Sequence, residues 1–318
     1  MSDFPKAIHI QEEGPREGFQ IEPGPIATAR KIELIDALSQ TGLEHIQIVS
    51  FVNPKRVPGM ADAEEVVNGI QKQDGVNYTA VWLNDKGLER ALAMPRLHVE
   101  GKISLSASEK FLMRNQNKTM QAQVDYNHRA VERFKALGIP VKRAGINSAF
   151  GCNFQGDVPV STIMDLVAQA HEIAAEHDVD IETFGLSDTM AWATPTSIKR
   201  TVGAIRERYP SLRISLHLHD TRGMAIANAY AGLEMGVDMY DACIAGLGGC
   251  PFAGHKGAAG NVCTEDLAFM CAEMGIETGL DLDRLIDCAK LAEDIVGHPL
   301  PGSVMKGGSL ARLRAQVH

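Results

Sequence analysis

In the stretch "SLHLHD" two histidines, His217 and His219, stand two residues apart at the end of an apolar run. On a strand that spacing points both imidazoles to one face. Two imidazoles with oxygen donors nearby suit a divalent cation that keeps positions open for a substrate. A pair satisfied by ordinary hydrogen bonds is the alternative, and the short motif alone does not choose. A second stretch, "GLGGCPFAGHKGAAGN" from Gly246 to Asn261, sets a thiol, Cys250, among glycines. Glycine loses the most conformational freedom on folding, so such a run marks motion or a close backbone approach. A thiol on a glycine hinge can swing over a site as a general acid and withdraw; a small buried hydrophobe is the plainer reading. In a third stretch, "EEGPREG", Arg16 and Glu17 follow a short apolar run. A forked guanidinium suits a developing enolate or carboxylate.

Residues this far apart in sequence need a scaffold that brings them to one rim. Short apolar or β-branched runs occur at 7–10, 45–49, 78–83, 103–105, 141–146, 181–184, 214–218 and 239–244. Between most of them lie stretches of helical spacing, at 27–39, 127–136, 161–177, 196–209 and 225–235. Strands alternating with helices in this number predict a (β/α)8 TIM barrel, about 7–263, within a single catalytic domain of residues 1–318. Residues 264–318 read as a C-terminal helical extension. A doubly wound open sheet is the competing architecture, but "EEGPREG" has neither Rossmann nor P-loop spacing. In a barrel the active site forms at the C-terminal strand ends. Arg16 and Glu17, Gln47, Asn147, Asp188, His217 and His219, and the cysteine loop ending at Asn261 all fall there. Glu17 and Asn261 at the same rim favour the metal reading of the histidine pair.

Composition narrows the function. The 318 residues carry a net charge of −9, which argues against a general nucleic-acid binder. No run of about eighteen apolar residues offers a membrane span, and the N-terminus lacks a secretory pattern. Six unpaired-looking cysteines fit reduced thiols and a cytoplasmic location. An anionic substrate would need a local basic patch.

The segments "EEGPREGFQIE", "SFVNPKRVPGMADAEEV", "SASEKF", "LSDT", "HLHDTRGMAIAN" and "GLGGCPFAGHKGAAGNVCTEDL" together resemble the 3-hydroxy-3-methylglutaryl-CoA lyases. The likeness runs over nearly the whole chain, and the cysteine loop is its most specific part. It implies a metal-dependent retro-Claisen lyase acting on an acyl-CoA, with acetyl-CoA as one product. It also implies metal ligands at Glu17, His217, His219 and Asn261, and a catalytic set of an enolate-stabilising Arg16, Cys250, His217 and Glu17. The metal would be Mg²⁺, Mn²⁺ or Co²⁺, with Zn²⁺ as a further candidate. For an acyl-CoA, Lys55, Arg56, Arg114 and Lys118 are the candidate contacts to coenzyme A, and Gln47, Asn147 and Asp188 are further candidate substrate contacts. A homo-oligomer, dimer or tetramer, fits the class.

Departures from the pattern cluster at the acyl end. Glu17 replaces an aspartate, Gln47 a glutamate, Ala191 and Ala193 glycines, and Arg56 a tryptophan. The cysteine loop is longer by two residues near His255 and Lys256, which could tune the Cys250 thiol. These changes predict altered acyl selectivity, for example toward citramalyl-CoA or a longer 3-substituted glutaryl-CoA. A Claisen-condensing acyltransferase and a non-catalytic binder of acyl-CoA or metal are the readings from other classes.

Overall fold

The computed structural model describes residues 4–249 and 260–317. Eight parallel strands alternate with helices as a (β/α)8 barrel: β1 (His9–Glu12), β2 (His45–Ser50), β3 (Asn77–Val81), β4 (Gly101–Ser106), β5 (Val141–Asn147), β6 (Thr183–Asp188), β7 (Arg213–Leu218) and β8 (Met239–Ala242). They hydrogen-bond in the order β3-β2-β1-β8-β7-β6-β5-β4. Helices Thr264–Glu273, Leu282–Val296, Val304–Gly307 and Leu310–Val317 follow β8. The described residues fall into two compact units, one of 6–99, 241–249 and 260–317, the other of 4–5 and 100–240.

The first unit holds β1 to β3. Its helix Thr28–Leu38 buries Leu34, Ile35 and Leu38, the one-face spacing of an amphipathic helix. In β2, Ile46 and Ile48 are buried. The register of β2 on β3 slips between Gln47 and Val49, a bulge of the kind that re-aims a side chain.

The second unit holds β4 to β7. Here β5, β6 and β7 run in unbroken register, with Ile146 beside Leu186 and Leu186 beside Leu216. Helix Pro195–Arg208 opens on a reciprocal cap, in which Ser197 N donates to Thr194 Oγ1 and Thr194 N to Ser197 Oγ.

Several elements differ from expectation, such as strand six, which runs Thr183–Asp188 rather than 181–184, and the helix expected at 127–136, which begins at Met120. Three differences bear on the site. The first strand runs to Glu12 because that carboxylate has buried donors waiting for it, so an acid does not end the strand. Arg16 and Glu17 lie on a helix, Gly14–Ile21, where "GPREG" suggests a loop; Pro15 suits a first helical turn. Helix Glu109–Gln116 was not apparent from the apolar spacing. Ser108, whose hydroxyl accepts from Phe111 N, caps it.

Candidate active site

In the first unit the end of β1 is built around a buried acid. Glu12 Oε1 accepts from Gly14 N at 2.7 Å and Ile244 N at 2.9 Å, and Oε2 accepts from Thr264 Oγ1 at 2.6 Å. Burial pushes its carboxyl up to about 7 against those hydrogen bonds. With Glu12 pinned, the next residues enter helix Gly14–Ile21, and Glu13 N donates to Ala242 O at 2.8 Å.

One turn into that helix, every nitrogen of the Arg16 guanidinium has a partner. Nε donates to Gln47 Oε1 at 2.5 Å, Nη1 pairs with Glu17 Oε1 at 2.7 Å, and Nη2 donates to Glu13 Oε2 at 2.6 Å. Burial works against the charge, but the carboxylates of Glu17 and Glu13 hold the guanidinium above its ordinary value. Gln47 stands where β2 slips register against β3.

Glu17 also meets Asn261, whose Nδ2 donates to Glu17 Oε2 and, at 2.7 Å, to Cys243 Sγ. Asn261 Oδ1 is buried with no hydrogen-bond partner among the described residues. The backbone closes on this pair at Gly248, which has φ +84; a Cβ there would come 2.7 Å from Glu17 Cβ. A carboxylate and an uncommitted amide oxygen held side by side are hard oxygen donors that suit a divalent cation.

In the second unit, His217 and His219 turn to one face as their spacing predicts. Their Nε2 atoms are 3.0 Å apart and their ring centroids 5.0 Å. Asp188 ends β6, next to Leu218 in register. Its Oδ1 accepts from Trp192 N at 2.7 Å and Ala193 N at 3.0 Å, while Oδ2 is buried with no hydrogen-bond partner among the described residues. Burial pushes this carboxyl to about 7, opposed by those two amides and by the charges of His217 and Arg222. Arg222 Nη1 donates to Met190 O and Ala191 O, clamping the loop in which Ala191 holds a left-handed φ of +55. Trp192 lies against Gly151, where an added Cβ would come 2.6 Å from the indole, and its Nε1 donates to Asn153 Oδ1 at 2.7 Å. Asn147 closes β5 and is half-buried.

The candidate coenzyme A contacts lie apart from these groups in character. Lys55 and Arg56 are exposed in the turn after β2. Arg114 is helical rather than in a loop, in the last turn of Glu109–Gln116, and stacks over the Phe154 ring at 4.3 Å. Lys118 lies over the Tyr126 ring at 3.8 Å. Cys250, His255 and Lys256 fall outside the described residues. Two functional neighbours escape sequence reasoning, Glu13 and Cys243. An acid three residues before Arg16 in a helix was a usable signal for Glu13; Cys243, in "DACIAG", carries none.

The described residues offer carboxylate and imidazole donors of the kind that hold a metal ion. No helix among those residues is long and apolar enough to cross a membrane.

The fold and these donor sets are those of a (β/α)8-barrel protein able to bind a divalent metal. The HMGL-like family profile matches residues 7–292, and the chain belongs to that family. It is a carbon–carbon lyase by class. Hydroxymethylglutaryl-CoA lyase YngG of Bacillus subtilis is 38% identical over 303 residues, 94% of this chain and 96% of its own length. The mitochondrial hydroxymethylglutaryl-CoA lyase of Gallus gallus is 38% identical over 284 residues, 89% of this chain and 92% of its own. Among solved structures, a Bacillus subtilis HMG-CoA lyase superposes with a TM-score of 0.87 at 37% identity, covering 96% of this chain and 98% of that one. An HMG-CoA lyase from Acinetobacter baumannii, in complex with coenzyme A and 3-methylmalate, gives 0.86 at 35% identity, with 97% of each chain covered.

Proposed function

We propose that the chain cleaves 3-hydroxy-3-methylglutaryl-CoA, or a close 3-hydroxyacyl-CoA, to acetyl-CoA and a 3-keto acid. The observation that carries this reading is Arg16, a largely buried guanidinium held by Gln47, Glu13 and Glu17, the last of which also meets Asn261. In the reaction the 3-hydroxyl loses its proton, the C2–C3 bond breaks, and C3 becomes a ketone. The bonding pair passes to the thioester enolate, which then takes a proton at C2. Asp188, with one oxygen uncommitted to hydrogen bonds and a carboxyl near 7, is suited to accept the hydroxyl proton beside His217. Arg16 bears the enolate charge. Cys250 returns the proton at C2.

Glu17, His217, His219 and Asn261 would hold the divalent cation, most simply Mg²⁺, Mn²⁺ or Co²⁺. When bound it acidifies the hydroxyl and orients the substrate. Lys55, Arg56, Arg114 and Lys118 supply positive charge for coenzyme A, and Gln47 and Asn147 flank the acyl group. The domain acts as one catalytic unit over 1–318, as a homo-oligomer. Five described cysteines are free and buried, which supports a reducing, cytoplasmic setting, although some matched relatives are mitochondrial.

A second reading of the acyl group has its own support. The loop carrying Trp192 is held by Arg222, which donates to its carbonyls, and by the Trp192–Asn153 hydrogen bond, and it departs from the family pattern at Ala191 and Ala193. That favours a 3-substituent different from the glutaryl compound's. A panel of 3-hydroxyacyl-CoA esters, each assayed for released acetyl-CoA, ranks the two. Release from none of them would overturn the lyase reading.

A further inference from the structure

Arg16 has two anionic partners and one neutral one. Glu17 pairs with Nη1, Glu13 with Nη2, and the amide oxygen of Gln47 accepts from Nε. Glu17 also faces Asn261 and is assigned to the cation above. A carboxylate that coordinates a cation has less negative charge to offer a guanidinium, and Gln47 has none. The remaining full anion against Arg16 is Glu13.

We infer that Glu13 is the positioning residue for Arg16, the counter-ion that keeps the guanidinium in place once Glu17 is engaged. Its own placement is firm. Glu13 N donates to Ala242 O at 2.8 Å, and Glu13 O accepts from Arg16 N and Glu17 N in the first turn of the helix. The side chains of Glu13 and Arg16 are 10% and 13% exposed, so their ion pair is shielded from salt and water. Truncating one member of such a pair leaves the other charge buried and uncompensated. The fork geometry makes the consequence directional: without the charge at residue 13 the anionic pull on the guanidinium comes from Glu17 alone, on the Nη1 side rather than the Nε side that Gln47 holds. Glu13 touches no reacting atom in this scheme; it acts through Arg16.

This inference rests on the lyase reading for its kinetic consequence only; its structural consequence does not. Glu13→Gln preserves shape and removes the charge. Expected is a fall in kcat of about 10²-fold, the scale of a misplaced catalytic group, with KM changed little and metal affinity by calorimetry unchanged. Gln47→Glu, placed in the Glu13→Gln protein, returns a carboxylate to Arg16 from its Nε side and should restore most of kcat. In crystals of metal-loaded Glu13→Gln, the Arg16 guanidinium should leave Gln47 Oε1, and in the double variant it should return. An Arg16 that keeps its position in Glu13→Gln overturns the inference whether or not the wild type turns over any ester. So does a Glu13→Gln protein that loses metal affinity, because Glu13 would then be a ligand, or a folded double variant that regains nothing. A wild type without turnover, alongside a displaced Arg16, would count against the lyase reading and leave the inference standing.

Discussion

Glu12 and Asp188 each end a barrel strand, and burial pushes each carboxyl to about 7. Their surroundings differ. Both Glu12 oxygens are occupied, by two backbone amides and a threonine hydroxyl. Asp188 gives one oxygen to two amides and leaves the other buried with no hydrogen-bond partner among the described residues. A buried acid with every acceptor satisfied holds structure together. One with an acceptor left over stores the desolvation cost of that atom, and such cost collects where chemistry is done. The raised value alone would not separate the two; the partner list does.

The largest effect should come from the residue that the Glu12 segment delivers. Arg16→Met should cut kcat/KM by at least ~10³-fold, as loss of a transition-state donor does, and Arg16→Lys should recover little because a point charge lacks the fork. A loss under tenfold would make the strand-one end merely structural, and the comparison would fail there.

Glu12 has a pH signature that it shares with Asp188 and with Glu265, both also pushed up to about 7, chiefly by burial. Between the ordinary carboxyl value of 4.5 and about 7 the folded chain keeps protons that the unfolded chain has released. Stability should therefore fall as pH rises through that window and level off above it, by about 3 kcal/mol for one such group taken alone. Urea melts at pH 5 and pH 8 measure the difference, and Glu265→Gln should narrow it. Stability that rises from pH 5 to pH 7 would reverse the sign assigned here.

Asp188→Asn leaves the Oδ1 contacts to Trp192 N and Ala193 N able to form, so the fold should survive. Removing a positioned base should lower kcat by about 10²-fold, with the melting midpoint close to that of the wild type. A variant that unfolds but keeps its activity per folded molecule would place Asp188 with Glu12 instead.

The smallest effect belongs to the loop after β6. Ala191 at φ +55 sits in a region that costs an alanine about 1–2 kcal/mol, and glycine pays back part of any relief through its freer unfolded chain. Ala191→Gly should stabilise by no more than about 1 kcal/mol in urea melts. Destabilisation would mean that Arg222, which holds the loop carbonyls, has already absorbed the strain.

Much of this was legible in the chain. Alternating apolar runs placed all eight strands to within a few residues, because buried parallel strands advertise themselves. The His217–His219 pair was legible because a strand has period two. Arg16, Glu17 and Asn261 carried their motifs with them, although the helix beginning at Gly14 was hidden behind a glycine and a proline that also make turns. Gln47 showed itself as a residue but not its place at a register slip against β3, which leaves no mark in the sequence. Glu13 was overlooked because an acid beside an acid reads as a solvated surface. Its spacing three residues before Arg16 becomes a signal once that segment is known to be helical.

The lyase claim itself is tested most directly by following 3-hydroxy-3-methylglutaryl-CoA with the purified, Mg²⁺- or Mn²⁺-loaded protein and measuring both products. Acetyl-CoA and acetoacetate should appear in equal amounts, stop when the metal is chelated, and fall to background in Arg16→Met. Loss of the substrate with free coenzyme A as the thiol product, or product formation that Arg16→Met does not change, would contradict it.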